Sequence, residues 1–129
     1  MTVELWLLAA SLVLAIVQLG LASLAAKKQT GIAWLVGPRD EPRAVGGVAG
    51  RLERAQRNLM ETLPIFAAAV LVVHVGERGS WLSELGAHLF FWGRLAYVPA
   101  YAAGIPWVRS ILWNVATLGV VLVLASLIA

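Results

Sequence analysis

The chain has 129 residues, 60% of them hydrophobic and only 13% charged, with a mean hydropathy of +0.83; soluble domains sit near half apolar and a quarter charged, so a water-soluble fold is not expected. The absence of cysteine removes disulfides, thiolate metal sites and a protein thiol nucleophile, and leaves any sulfur chemistry to a bound small molecule. A net charge of +3 gives no nucleic-acid signal, and in so apolar a chain the placement of the basic residues reports orientation in a membrane.

At this length a single domain over residues 1–129 is expected, and at about 20 apolar residues per crossing it has room for roughly four transmembrane helices. The first apolar run, Val3 to Ala26, carries Glu4 near its start and no further charge until Lys27 and Lys28. It reads as a retained helix, because a cleaved leader would place basic residues ahead of a shorter apolar stretch. From Lys27 to Gly50 the chain turns polar, with Gly37-Pro38, Pro42 and Gly46-Gly47 as punctuation, and predicts a long cytoplasmic loop. The next run is charged from Arg51 to Glu61 and purely apolar only from Leu63 to Val75. That apolar part is too short to span, so the charged stretch is read as the inner half of a helix over 51–75. Gly76 to Ser80 then predicts a hairpin, Trp81 to Ala103 a third helix, Gly104 to Trp107 a tight turn, and Val108 to Ile128 a fourth helix. The expected fold is all-α: an integral membrane, multi-pass four-helix bundle with helices near 3–26, 51–75, 81–103 and 108–128.

Lys27, Lys28, Arg39, Arg43, Arg51, Arg54 and Arg57 cluster on one side, against Arg78 alone in the hairpin. By the positive-inside bias both termini lie on the non-cytoplasmic side and the 27–50 segment in the cytoplasm. Trp6 and Trp81 would then anchor the outer interface, and Trp34 and Trp107 the inner one.

On the second predicted helix, Arg51, Arg54, Asn58, Glu61 and Ile65 recur at alternating spacings of three and four, which puts them on one face. A charge at membrane depth costs about 2.5 to 3.5 kcal/mol or more, so such a row faces a bundle interior or a watery cavity. Two readings stand side by side: a binding site, or groups that pair with one another near the interface where arginine can snorkel. Pro64 frees a carbonyl and bends this helix near Glu61. On the third helix Arg94, Tyr97 and Tyr101 share a face toward the same cytoplasmic end, and Arg109 and Ser110 follow directly after the inner turn. His74 and His88 lack the paired spacing of a metal site and read as packing or hydrogen-bonded histidines, so no metal is expected. Asp40, Glu41 and Glu84 read as solvated charges.

The run Arg51-Leu-Glu-Arg-Ala-Gln-Arg-Asn-Leu-Met-Glu-Thr-Leu-Pro-Ile-Phe66, then Gly93-Arg-Leu-Ala-Tyr-Val-Pro-Ala-Tyr101 and Arg109-Ser110, resembles the MAPEG family, the membrane-associated proteins in eicosanoid and glutathione metabolism. The likeness is close from Arg51 to the C-terminus; the first helix and its loop agree in length and polarity. It implies a four-helix protomer in a homotrimer, with glutathione as co-substrate held between protomers near the cytosolic side and no metal. Microsomal glutathione transferases, leukotriene synthases and prostaglandin E synthase are the family's enzymes. By motif position Arg54, Arg57, Asn58 and Glu61 correspond to glutathione-binding residues, as do Tyr97 and Tyr101, whose face Arg94 shares. Arg109 matches the arginine proposed to stabilise the thiolate, and Ser110 the serine beside it in the prostaglandin branch. Thr62 stands where the leukotriene branch has a tyrosine, and Tyr97 where the prostaglandin branch has a histidine, so neither eicosanoid specialisation is implied.

The chemistry of the ligand agrees with the residues. Glutathione offers two carboxylates and one ammonium; arginine forks suit the former and Glu61 the latter. The expected function is a membrane-bound glutathione transferase or peroxidase-like enzyme that turns the thiolate on lipophilic electrophiles from the bilayer, as in detoxification. The alternatives are a non-catalytic trimer that binds membrane lipids or serves as a scaffold, and, more distantly, a small transporter.

Overall fold

A computed structural model describes all 129 residues as five helices and no strand: α1 (Val3–Thr30), α2 (Ile32–Val36), α3 (Gly47–Val75), α4 (Trp81–Ala102) and α5 (Pro106–Ala125). The start of α1 is capped by the Thr2 hydroxyl, which accepts from the Leu5 N–H at 3.4 Å. Glu4 in its first turn and Lys27 and Lys28 in its last complement the helix dipole at both ends.

The 27–50 segment is less of a loop than its composition predicts. Lysine and glutamine extend a helix readily, and cations are favoured at its C-terminal end, so α1 runs on through Lys27 and Lys28 to Thr30. A short α2 follows, and α3 opens at Gly47 rather than at Arg51. What lies between is pinned down: the Gln29 amide donates to the Gly46 carbonyl (2.8 Å) and accepts from the Gly46 N–H (3.1 Å), while the Trp34 indole donates to the Glu41 carbonyl at 2.7 Å.

α1, α3 and α5 are long and apolar enough to cross a membrane. α4, with 22 residues, is not among them, because Glu84, His88, Arg94, Tyr97, Pro99 and Tyr101 dilute its apolar side chains. Large apolar residues such as Ile16 on α1, Val72 on α3 and Val121 on α5 are exposed, a surface suited to lipid rather than water.

Inside, α1 packs along α3, and α4 pairs most extensively with α5. Leu59, Phe66, Val70 and Val73 of α3 meet Ala87 and Phe90 of α4 and Val123 of α5 in one apolar core. The Phe66 and Phe90 rings stack with centroids 4.0 Å apart. At the end away from the arginines, the buried Glu4 carboxylate accepts a hydrogen bond from Ser83 Oγ, tying the first turn of α1 to that of α4.

The α4–α5 contact is set by glycine. A Cβ built on Gly86 would collide with the Gly119 carbonyl oxygen and lie 2.8 Å from the Val123 nitrogen; one on Gly119 would collide with the Gly86 carbonyl oxygen and lie 2.7 Å from the Phe90 nitrogen. A Cβ on Gly93 would lie 3.2 Å from the Ala116 Cβ. With no hydrophobic driving force between helices in lipid, such close backbone approach supplies the dispersion contact that holds the pair.

Gly86→Ala and Gly119→Ala are each expected to destabilise the folded protein by about 1–3 kcal/mol through overpacking. A Cβ at Gly20 on α1 meets nothing within 4 Å, so Gly20→Ala is expected to be neutral or slightly stabilising. Unfolding midpoints of the three variants in one detergent check the contrast.

Candidate functional site

The sequence places the arginine-rich start of α3 beside the C-terminal end of α4 and the first turn of α5, and the structure joins them by side-chain bonds. Arg94 of α4 is 1% exposed; its Nη1 donates to Asn58 Oδ1 of α3 at 2.7 Å, and its guanidinium lies 4.3 Å from the Tyr97 ring centroid. Tyr97 and Tyr101, one turn apart, have ring centroids separated by 5.5 Å. Arg54 Nε donates to the Tyr101 hydroxyl at 3.1 Å, and the Arg109 guanidinium sits 4.7 Å from the centroid of the same ring. Asn58, Arg94, Tyr97, Tyr101, Arg54 and Arg109 therefore form one continuous constellation from three helices.

Two features of it are chemically unfinished. The Nε and Nη2 groups of Arg94 are buried without a hydrogen-bond partner, a costly arrangement for a guanidinium. Arg51, Arg54 and Arg109, together with Tyr101, Gly104 and Pro106, line a cavity of about 440 Å³ that has no carboxylate in its wall. Three guanidinium groups on one concave surface with no carboxylate in its wall are complementary to an anion, and the volume lies in the range of small-molecule sites, about 300–1,000 Å³.

Arg51, Arg54 and Glu61 of the charged row form no ion pair with one another. The one ion pair is Arg57–Glu53 at 3.0 Å, with both side chains well exposed (64% and 46%). Arg54 and Arg94 spend their bonds on neutral partners, and Glu61 is exposed and makes no direct ion pair.

The remaining sequence candidates are distributed unevenly. Arg57 joins Arg39, Arg43 and Arg54 around a second cavity of about 610 Å³ between α1, the 34–45 segment and the start of α3, so Arg54 belongs to both cavities and Arg57 to this one. Ser110 is exposed and donates to the Pro106 carbonyl at 3.0 Å, inside its own helix. An apolar crevice of about 150 Å³ opens beside Arg94, walled by Thr62, Ile65, Phe90, Trp113 and Thr117 among others. His88 accepts from the Trp92 indole at 3.1 Å, and His74 lines a separate cavity with Glu4 and Glu77 at the opposite end; neither touches the constellation.

The structure adds Arg51, Gly104 and Pro106 to the wall of the arginine cavity and Trp113 to the crevice beside Arg94. The spacing of Arg51 three before Arg54 was the available signal; for the other three, position in the turn or on α5 becomes meaningful only once α5 folds back on α4.

Removing the carboxamide that Arg94 uses is expected to be expensive. Asn58→Ala leaves a further buried N–H without a partner and should cost about 1–3 kcal/mol, whereas Arg57→Ala breaks only an exposed pair and should stay within about 1 kcal/mol. Denaturation of both variants in detergent measures the difference.

A family model described as MAPEG family matches residues 3–129. No curated protein matches the chain.

Proposed function

The chain belongs to the MAPEG family, which includes glutathione transferases and related proteins of eicosanoid synthesis, and from that premise we propose that it is a membrane-bound glutathione transferase or peroxidase-like enzyme. The observation that carries the reading is the cavity walled by Arg51, Arg54 and Arg109 with no acidic side chain. A ligand with two carboxylates and an ionisable thiol matches it in sign and in hydrogen-bond type.

In this reading Arg54 takes a carboxylate, while the two unpartnered N–H groups of Arg94 offer donors to the peptide. Glu61, exposed and without a direct ion pair, receives the ammonium, with Arg57, Asn58 and Ser110 as further contacts. Arg109 is the catalytic group: a guanidinium beside a thiol, whose free pKa is about 8.5, favours the anion that acts as nucleophile. The face of Tyr101 holds that guanidinium in place. Since the Tyr101 hydroxyl accepts from Arg54, its own proton is free to be donated to the thiolate. Lipophilic acceptors would arrive from the bilayer, and the apolar crevice beside Arg94 offers them a path.

The proposal extends to assembly and orientation. Four helices crossing as a bundle, with α4 the fourth, would form a homotrimer in which a neighbouring protomer covers the exposed α3 face that carries Glu61. Both termini would lie outside and the site toward the cytoplasm. A non-catalytic lipid-binding or scaffold trimer is the competing reading. It has no need of an uncompensated arginine cavity joined to paired tyrosines.

Calorimetry of the detergent-purified protein with glutathione tests the proposal. Arg54→Ala and Glu61→Ala are each expected to weaken binding by about 2 kcal/mol, because a charged partner is left unpaired in a partly dry site, while His74→Ala at the far end leaves affinity unchanged. Parental affinity in both α3 variants would turn the assignment toward the scaffold. Arg109→Ala is expected to bind glutathione but to lose the ultraviolet thiolate absorbance near neutral pH and to conjugate an aryl halide more slowly.

A further inference from the structure

The C-terminus of α4 leaves the Ala102 carbonyl without a backbone donor, and Arg51 of α3 takes it. The Ile105 N–H closes back on the Ala100 carbonyl (3.1 Å) and the Gly104 N–H on the Tyr101 carbonyl (2.9 Å), with Gly104 at φ +74. This is the glycine-terminated C-cap that satisfies the last carbonyls from within the chain. The Ala102 carbonyl falls outside that pattern and accepts from Arg51 Nε at 2.9 Å, across 51 residues of sequence. The partial negative charge of a helix C-terminus favours a cation there. A Cβ on Gly104 would lie 3.9 Å from the Arg51 guanidine, so the turn is seated on this side chain. Pro106 then opens α5 and brings Arg109 over Tyr101.

We propose, on the glutathione reading above, that Arg51 is a positioning residue for the reaction: it locks the 103–105 turn to α3 and thereby fixes the Arg109 guanidinium where the thiolate forms. Its Nε is spent on Ala102, and the residue also lines the cavity with Arg54 and Arg109. The role depends on a directed hydrogen bond to a carbonyl, which separates it from a contribution of bulk charge. Glutamine can donate that bond without the charge; lysine keeps the charge on a flexible stem and does not reproduce the planar donor.

The test measures four proteins, the parental chain and its Arg51→Ala, Arg51→Gln and Arg51→Lys variants, by thermal unfolding in detergent, by ultraviolet titration of the glutathione-bound thiol, and by kcat and KM for an aryl halide. Arg51→Ala is expected to raise the thiol titration midpoint by about one pH unit and to lower kcat about tenfold, with the smaller change in KM. Arg51→Gln should recover most of both effects, and Arg51→Lys less. Rescue by lysine and not by glutamine would mean that Arg51 acts by charge alone and overturns the positioning role. A lowered unfolding midpoint in Arg51→Ala with parental titration and kcat would make Arg51 merely structural and overturns it as well. Both of those results leave the glutathione reading standing; a parental protein with no bound-thiolate signal removes that reading and this role together.

Discussion

A guanidinium buried where water does not reach must be met on every side, and Arg94 is the point at which this chain accepts that demand. At 1% exposure it is held by one carboxamide from α3 and by the face of its own helix neighbour Tyr97, and two of its N–H groups remain unmet. Leaving such groups unpaired is among the more expensive arrangements a fold can carry. The contacts around it explain where the rest of the site lies. Asn58 must face α4, which brings Arg51 and Arg54 of the same α3 face against the C-terminal end of α4, and Tyr97 and Tyr101 must line up below, where Arg54 and Arg109 reach the second ring from opposite helices.

That arrangement needs a rigid frame, and the α4–α5 pair supplies it. The mutual approach of Gly86 and Gly119, with Gly93 against Ala116, lets two backbones touch with no side chain between them. Phe66 and Phe90 stack α3 onto the same unit, and Glu4 and Ser83 fasten α1 at the far end. The polar constellation thus sits at one end of an apolar pack whose own geometry is fixed by shape, while the other end is closed by a single buried carboxylate–hydroxyl bond.

The polarity of the molecule follows the same division. Arginines other than Arg78 collect at one end around two cavities of about 440 and 610 Å³, and the opposite cavity is walled by Glu4, Glu77 and His74. Glu53 lines the larger cavity beside Arg57, whereas the smaller has no carboxylate in its wall, and an electropositive surface of that kind attracts small anions. The chain belongs to a family that generally uses glutathione, an anion of the kind such a surface attracts, and an apolar crevice by Trp113 and Thr117 opens beside Arg94.

Composition and periodicity determined much of this by themselves. An apolar, cysteine-free chain of this length had to be a small helical membrane protein, and the three-and-four spacing from Arg51 to Glu61 had to produce one polar face, because helical geometry alone relates those positions. The motif carried the family. What it left undecided was everything that depends on one helix meeting another. Whether the arginines of α3 paired among themselves or reached outward was open until Tyr101 and the α4 C-terminus were seen opposite them. The extent of α1 past Lys28 and the early start at Gly47 were hidden, because the glycines and prolines of 31–47 outweigh helix-forming lysine in any local count. α4 also reads as a membrane span by length but not by hydropathy, since Glu84, His88, Arg94, Tyr97 and Tyr101 interrupt its apolar residues. Gly86 and Gly119 were unremarked because a glycine in a helix has no meaning until another backbone lies against it. Arg51 is the sharpest case: its partner, the Ala102 carbonyl, is a backbone atom that any residue would present, so no reading of side chains along the sequence could have named it.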